Sequence, residues 1–374
     1  MISAFLLPAG GNRSPARLHT VSGLFTQGTN IRSPGFLFGD DGEPNSLDEL
    51  RNIEATSPNE MRWIFPYLGG EEVNATADQA PRRYVINVNH CDTEEQLRAL
   101  PALHSIIREK VKPERDQLNT NPNNRKLKQR WWCYHAERRK FYTRIHGLNR
   151  VLVNSQVSPH LAFVSQQTGR IWGHTLNIFA LAGEGPFAAM QSRPHEVWAR
   201  FFASTLEDRL RYTPSDCFAT FPFPPSFETD ATLEVIGQAY HDHRAALMIR
   251  NNEGLTKTYN RFHDPAEDHP EIVKLRELHD AMDRAVLTAY GWTDLAERIA
   301  TDPDAKPRHL TEDTEDDHKY QGRYFWPAPI RDEVLARLLA ENVRRAEQER
   351  EAGLELVPTD EPEDEANTGE EEAA

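Results

Sequence analysis

The stretch QSRPHEVWARFFASTLEDRLRYTPSDCFATFPFPP, from Gln191 to Pro225, determines how the rest of the chain is interpreted. It begins like a helix, because Ser192 can cap free amide groups and Pro194 suits a first turn. An apolar residue then recurs every fourth position, at Trp198, Phe202, Leu206 and Leu210. We therefore predict one amphipathic helix that packs on a core and ends where it runs into Tyr212, Thr213 and Pro214.

The second half of this stretch cannot continue the helix. Four phenylalanines are threaded among three prolines here: Phe218, Phe221, Phe223 and Phe227 with Pro222, Pro224 and Pro225. Proline lacks the amide proton that a helix interior or a central strand needs. We predict an extended aromatic segment that lies across a preformed core, with Phe221 and Phe223 covering Trp198.

Length and composition set the broad class. A chain of 374 residues can bury a large core and is expected to hold two structural units. Its apolar runs are all far shorter than the ~20 residues that cross a bilayer, so no membrane association is expected. Cys91, Cys133 and Cys217 are odd in number and form no CxxC pair. That usage is typical of a reduced, cytoplasmic protein without a disulfide framework or a zinc site.

The formal net charge of −15 is unevenly distributed. Between His104 and Arg150 there are 13 Lys and Arg residues against 4 Asp and Glu residues. An acidic protein with one concentrated basic segment is expected to bind a polyanion at one face. The alternative, a solvated helical face whose charges are paired elsewhere in the fold, is equally compatible with the composition.

Basic and aromatic residues alternate in this segment, as in RKLKQRWWCYHAERRKFYTRIHGL. Lys and Arg neutralise phosphates, and aromatic rings can stack on bases, although paired tryptophans in helices are more often core residues. We predict that most phosphate contacts come from nine residues: Lys112, Arg115, Arg125, Lys126, Lys128, Arg130, Arg138, Arg139 and Lys140.

A second group of candidates lies on predicted strands. A hairpin turn is expected at residues 166–169, where Gln166, Gln167 and Arg170 offer amide and guanidinium groups that can read adenine and guanine edges. An ordinary solvent-exposed hairpin is the alternative. Arg193 and His195, beside the predicted helix start, are added as phosphate contacts because that end of a helix attracts anions.

Motifs of catalysis are missing from this sequence. No glycine-rich turn follows a strand in the pattern that binds a dinucleotide or S-adenosylmethionine, and Pro224-Pro225 lacks the Asn or Asp that amino-group methyltransferases place before it. The histidines of His241-Asp242-His243 would point apart on a helix and make a poor metal pair. We therefore assign no catalytic residue, no metal ligand and no cofactor to the chain itself.

Seven motifs in order carry a resemblance: IFPYLGGEEVN, REKVKPERDQL, RWWCYHAERR, FAAMQSRPHEVWARFFAS, LRYTPSDCFATFPFP, GLTKTYNRFHDP and LRELHDAMDRAVLTAYGW. From about Phe25 to Arg350 the chain resembles the C-terminal target-recognition portion of large adenine-specific DNA methyltransferases. The most similar are type IIL restriction–modification enzymes of the MmeI-like group, with kin in phage defence. The resemblance implies double-stranded DNA as partner and a helical clamp after the recognition domain.

The methyltransferase domain of that family has no counterpart in this sequence. The resemblance thus implies the recognition part of a split or truncated adenine-N6 methyltransferase, which directs a separate catalytic subunit that carries S-adenosylmethionine. A small enzyme with an unrecognised site, a non-catalytic interaction scaffold and a degenerate gene remnant are the alternatives.

The expected fold class is α+β, with a mixed β target-recognition domain followed by an α-helical domain. Six segments are expected: an interrupted N-terminal segment 1–24, the recognition domain 25–228, a helical clamp 229–300, an acidic linker 301–322, a C-terminal helix 323–352 and a disordered acidic tail 353–374.

Overall fold

The computed structural model describes residues 14–40, 42–119, 121–206 and 209–356. It is a mixed α+β structure with a strand-rich first part and a mainly helical second part, as the sequence predicted. The acidic tail beyond Leu356 and the first 13 residues lie outside the described residues.

Fourteen strands form the sheets of the described chain. They are β1 Phe25–Gln27, β2 Leu37–Gly39, β3 Asn45–Ser46, β4 Ile64–Leu68, β5 Arg83–Ile86, β6 Arg150–Ser155, β7 Val157–Ser158, β8 Val164–Gln167, β9 Ile171–Trp172, β10 Leu176–Phe179, β11 Ser204–Leu206, β12 Arg209–Arg211, β13 Arg308–Leu310 and β14 Arg323–Phe325.

Fifteen α-helices accompany these strands in the same described ranges. They are α1 Leu47–Thr56, α2 Gly70–Ala75, α3 Glu94–Arg98, α4 Pro101–Lys110, α5 Lys112–Gln117, α6 Pro122–Gln129, α7 Arg139–Arg144, α8 Glu184–Gln191, α9 Arg193–Phe202, α10 Pro214–Cys217, α11 Ala231–Asn251, α12 Leu255–His263, α13 Pro270–Ala289, α14 Thr293–Thr301 and α15 Ala328–Glu351.

Two larger sheets organise the strand-rich part. The five-stranded sheet has the order β3-β2-β5-β4-β9, with β5 antiparallel to both of its neighbours and β9 parallel to β4. The four-stranded sheet has the order β1-β10-β6-β8 and is antiparallel throughout. β9 and β10 are consecutive in sequence but belong to different sheets, so the chain crosses between the sheets at Gly173.

Two hydrophobic cores correspond to these sheets. The smaller core surrounds the five-stranded sheet and buries Phe36, Val85 and Leu103, among others. The larger core is one continuous cluster of packed side chains that includes Leu18 and Leu338. It extends through the four-stranded sheet and the helices α8 to α15. The expected domain limits stay predictions, but the core does not divide at residue 228, where the helical clamp was expected to begin.

The segment 301–322, expected as an acidic linker, is tied into this larger core. β13, which lies in this segment, pairs with β14 directly after it, and Tyr320 is buried. Glu315 is buried as well, with its carboxylate 2.7 Å from Arg331 Nη1. Its acidic composition therefore does not make this segment a free connector.

The helix at the centre of the sequence interpretation is shorter than predicted. α9 ends at Phe202, and the chain continues into β11 and β12, so the expectation of one helix up to Tyr212 is wrong. β12 pairs with β7, which supplies hydrogen bonds that the local fourfold apolar spacing could not reveal. The Ser192 hydroxyl donates to Ala189 O (2.8 Å) instead of capping α9.

The aromatic segment after this helix is buried as predicted. Phe221 and Phe223 are buried, and the Phe221 ring lies 6.2 Å from the ring of Trp198, which is fully buried. The Trp198 indole Nε1 donates to Thr220 Oγ1 (3.0 Å), so the ring is anchored to the segment that covers it. The side chain of Leu206 lies outside the described residues.

Candidate nucleic-acid interface

A basic surface forms where α6 and α7 meet the turn that follows β5. We call it the His90 patch and define it by Arg62, Trp63, His90, Lys126, Arg130 and Arg139. The six residues come from four separate places in the sequence, and contacts between them hold them together.

The centre of the patch is a pair of stacked rings. The His90 imidazole lies 3.6 Å from the Trp63 ring with an interplanar angle of 18°. The Arg62 guanidinium also lies over the Trp63 ring, with its central carbon Cζ 5.1 Å from the ring centroid. Such a cation–π contact adds attraction to the packing. Because Trp63 fixes the inner face of His90, the exposed histidine is held in one orientation.

Two arginines fix the turn that carries His90. Arg130 Nη2 donates to Asn89 O (3.1 Å) and to Cys91 O (2.9 Å), and Arg139 also donates to Asn89 O. The Asn89 side chain accepts from the Tyr134 backbone amide at 2.8 Å. The carbonyls on both sides of His90 are thus occupied by guanidinium groups, and the turn presents a cationic rim.

Among the described residues, the four cationic side chains of the patch have two carboxylates near them, those of Glu137 and Asp92. Glu137 bridges Lys126 and Arg139, and Asp92 lies 3.4 Å from Arg130 Nη2. The side chains of Lys126 and Arg139 remain 61% and 58% exposed, so a ligand can reach both. Burial and the charges of Arg62 and Arg139 lower the pKa of His90 below its ordinary value.

The helix α6 presents its basic residues because of its own sequence. Asn121 caps it by accepting from Asn124 N (2.8 Å), and Pro122 stands in the first turn. Leu127 faces the interior, which leaves Arg125 and Lys126 exposed and Lys128 half-buried. The prediction of a basic surface at this helix is consistent with its exposure, whereas contact with phosphate stays a prediction.

The tryptophans that follow α6 are core residues. Trp131 and Trp132 are both buried and meet edge to face with centroids 5.6 Å apart. Trp132 Nε1 donates to Cys91 O (2.8 Å), on the inner side of the His90 turn. Of the two uses the sequence left open, the structure therefore favours packing over stacking on bases.

The other basic candidates divide into exposed and buried groups. Lys112 pairs with Asp116 one turn along α5 (2.7 Å), and Lys140 is exposed on α7. Arg138 is buried before α7. Arg115 is buried too, with its guanidinium donating to Ile31 O (2.9 Å), so its expected position at the surface is wrong. Arg115 holds loops of the smaller core together.

The expected hairpin at residues 166–169 is wrong. β8 pairs with β6, whereas β9 pairs with β4 in the other sheet, so the turn connects two sheets. Gln166 is buried and its Oε1 accepts from Arg170 Nη1 (2.8 Å), while Gln167 is exposed at the strand end. Gln167 and the half-buried Arg170 are the members of this group that a ligand can reach.

Arg193 and His195 lie in the larger core, and their expected position at a surface is wrong. The Arg193 guanidinium contacts Asp283 (2.6 Å) and Asp280 (2.7 Å). His195 is fully buried between Met190 O (2.7 Å from Nδ1) and the Tyr212 hydroxyl (3.0 Å from Nε2). Burial lowers the pKa of His195 to about 4, so the ring stays neutral.

Arg62 and His90 were not predicted as site residues from the sequence. Neither lies in the basic segment, and each is a single polar residue in a turn. Only the packing of the 3-10 turn Pro58–Trp63 against the loop after β5 brings them to α6 and α7. A local sequence signal for this arrangement does not exist, because the approach is tertiary.

Two further features are absent from the described residues. None of their helices has both the length and the apolar character needed to cross a bilayer. Within the same ranges, no group of three or more His, Cys, Asp or Glu side chains is arranged to hold a metal ion. Cys91, Cys133 and Cys217 are free and buried.

The two larger sheets are flanked by helices, and the His90 patch contains a stacked ring pair. These features define the class of the protein as α+β with a basic surface. The model of the MmeI target recognition domain family matches residues 41–225, so this part of the chain is similar to that family. No curated protein matches the sequence.

Among solved structures, the fold is similar to one described as type IIL restriction–modification enzyme MmeI in complex with DNA. The TM-score is 0.59 at 17% sequence identity, a level that supports likeness of fold alone. The match covers 92% of this chain but only 39% of the MmeI chain, so the chain spans less than half of that relative's length.

Proposed function

We propose that this chain recognises a specific sequence in double-stranded DNA as the target recognition part of a restriction–modification enzyme. The observation that carries the proposal is the convergence of Arg62, His90, Lys126, Arg130 and Arg139 on one exposed surface. The match of residues 41–225 to the model of the MmeI target recognition domain family supports it. The DNA complex formed by the MmeI structure of similar fold supports it as well.

Phosphate contacts position a protein on DNA, and base contacts specify the sequence. We assign the first role to the His90 patch with the exposed side of α6, and the second to Gln167 and Arg170. β9 lies beside Tyr67, and Trp63 directly precedes β4. Arg170 directly precedes β9, which pairs with the end of β4 farther from Trp63, so β4 connects Arg170 with the His90 patch.

The methyl-transfer chemistry belongs, in this proposal, to a separate polypeptide that binds S-adenosylmethionine. Adenine-N6 methylation needs a cofactor pocket and a polar clamp on the flipped base. The sequence supplies no motif for either. The chain alone would then bind DNA in the cytoplasm and direct the catalytic subunit to its target, in a restriction or phage-defence system.

Replacing Arg125, Lys126 and Lys128 together by Ala should weaken DNA binding across all sequences. Because each phosphate contact releases about one counterion, the slope of log affinity against log salt should fall by about one for every contact removed. The measurement is fluorescence anisotropy with a labelled duplex over a salt series. Alanine favours helix, so α6 should persist.

A matched control removes three exposed cations from the C-terminal helices, Lys274, Arg298 and Arg344. Its affinity and salt slope should equal those of the unmodified chain. If the α6 variant also keeps both values, α6 is a solvated face and contributes nothing to DNA binding.

A further inference from the structure

We propose that the His90 patch binds one phosphate diester of the DNA backbone and that His90 takes up a proton as the phosphate binds. This inference rests on the proposed function and adds to it a specific site and a proton linked to binding. It is carried by the stacked ring pair and by the cations arranged around it.

The geometry suits one anion. Arg62 lies over the Trp63 ring, Arg139 donates to the Asn89 carbonyl next to His90, and both charges are near enough to lower the pKa of His90. A guanidinium has five N–H donors, so a carbonyl contact leaves donors for a ligand. Phosphate oxygens are acceptors, and charge-assisted bonds to them are the stronger kind.

The ring that takes the proton is held in place. Trp63 covers one face of His90 at 3.6 Å, and the Cys91 thiol lies 3.5 Å from its Nε2. His90 therefore does not need to be ordered when the anion arrives, which removes part of the entropic penalty of binding.

Among the described residues, the charged groups around His90 come from three other elements and from its own loop. Arg62 approaches from the 3-10 turn, Arg139 from α7 and Arg130 from the end of α6, whereas Asp92 is on the same loop. Without an anion, burial and the positive charges of Arg62 and Arg139 hold the pKa of His90 down, and Asp92 opposes them.

The direction of the linkage follows from these charges. A bound phosphate adds a negative charge that favours the protonated imidazole, so the pKa of His90 is higher in the complex than in the free chain. A group that binds its proton more tightly in the complex strengthens binding as pH falls. DNA affinity should therefore rise as pH falls through the ordinary histidine range.

The test measures affinity for a labelled duplex between about pH 8 and about pH 6 at constant salt. The unmodified chain should bind up to about tenfold more tightly at the lower pH, the effect of roughly one unit of pKa change. H90Q, which keeps a polar side chain but cannot gain the charge, should lose this increase. H318Q, at an exposed histidine of the acidic segment, is the matched control and should retain it.

A second variant tests the phosphate itself. R62A should reduce the salt slope by about one, whereas R298A, at an exposed arginine of α14, should leave it unchanged. A pH dependence in H90Q equal to that of the unmodified chain overturns the proton uptake, and an unaltered slope in R62A overturns the phosphate site. If the unmodified chain binds no duplex even at low salt, the proposed function fails as well.

Discussion

Trp198→Ala should lower the free energy of unfolding by about 3–5 kcal/mol, the range for removing a fully buried tryptophan. Trp198 has no exposed surface, and its ring packs on Phe202 at 4.6 Å and on Phe221 at 6.2 Å. The substitution leaves a cavity at the junction of α9 and the aromatic segment, and it leaves Thr220 without the indole donor. Urea unfolding followed by circular dichroism measures the change.

The matched control is Val235→Ala, an apolar truncation on α11 at a side chain that is 72% exposed. It should change stability by less than about 0.5 kcal/mol, because the truncation removes little buried surface. A Trp198→Ala protein that unfolds at the same urea concentration as the unmodified chain would contradict the position of Trp198 in the core.

Asp283→Asn is the second large effect. Asp283 joins α13 to the start of α9: its Oδ2 lies 2.6 Å from Arg193 Nη1, and its Oδ1 accepts from the Arg193 backbone amide at 2.7 Å. Both side chains are 1% exposed. Burial disfavours the carboxylate, but the charges of Arg193 and His279 and the hydrogen bonds from both residues together hold the pKa of Asp283 below its ordinary value.

Removing one partner of a buried ion pair is destabilising by about 3–5 kcal/mol, because the other charge stays buried without it. Asp280 still contacts Arg193, so we expect the lower end of this range. Glu277→Gln breaks an exposed pair with Lys274 on the same helix and should change stability by less than about 1 kcal/mol. Equal effects of the two substitutions in urea unfolding would refute a structural role for the Arg193 pair.

Features with a local physical cause were predictable from the sequence. The capping box of α1 is one, since Ser46 and Glu49 exchange bonds of 2.7 and 3.1 Å across a single turn. The end of α13 before Gly291, which has a φ of 80°, is another. The burial of Trp198 and of the aromatic segment followed from composition.

Features caused by distant pairing were not predictable in this way. α9 stops at Phe202 because β12 finds a partner in β7, about 50 residues earlier, a separation beyond any local pattern. The break between β9 and β10 has a similar origin. A Cβ at Gly173 would lie 2.2 Å from the Tyr67 hydroxyl, so only glycine allows the two sheets to approach there.

The candidate site was predictable only in part, for the same reason. The charge count located α6 and its exposed cations, but composition alone did not distinguish Lys126 at the surface from Arg115 in the core. Arg62 and His90 carry no signal in their own segments, and they join the site through tertiary packing. Burial, which the sequence did not reveal, also excludes Arg193 and His195 from any surface role.

The central claim, sequence-specific recognition of DNA, is tested most directly by selection from a library of random duplexes. The full chain is incubated with the library at moderate salt, bound duplexes are recovered and amplified over several rounds, and the pool is sequenced. Specific sites are typically bound at least about a thousandfold more tightly than other DNA, so one short motif should dominate. R170A should relax the motif at one position without abolishing binding. A recovered pool with the composition of the starting library would contradict the claim.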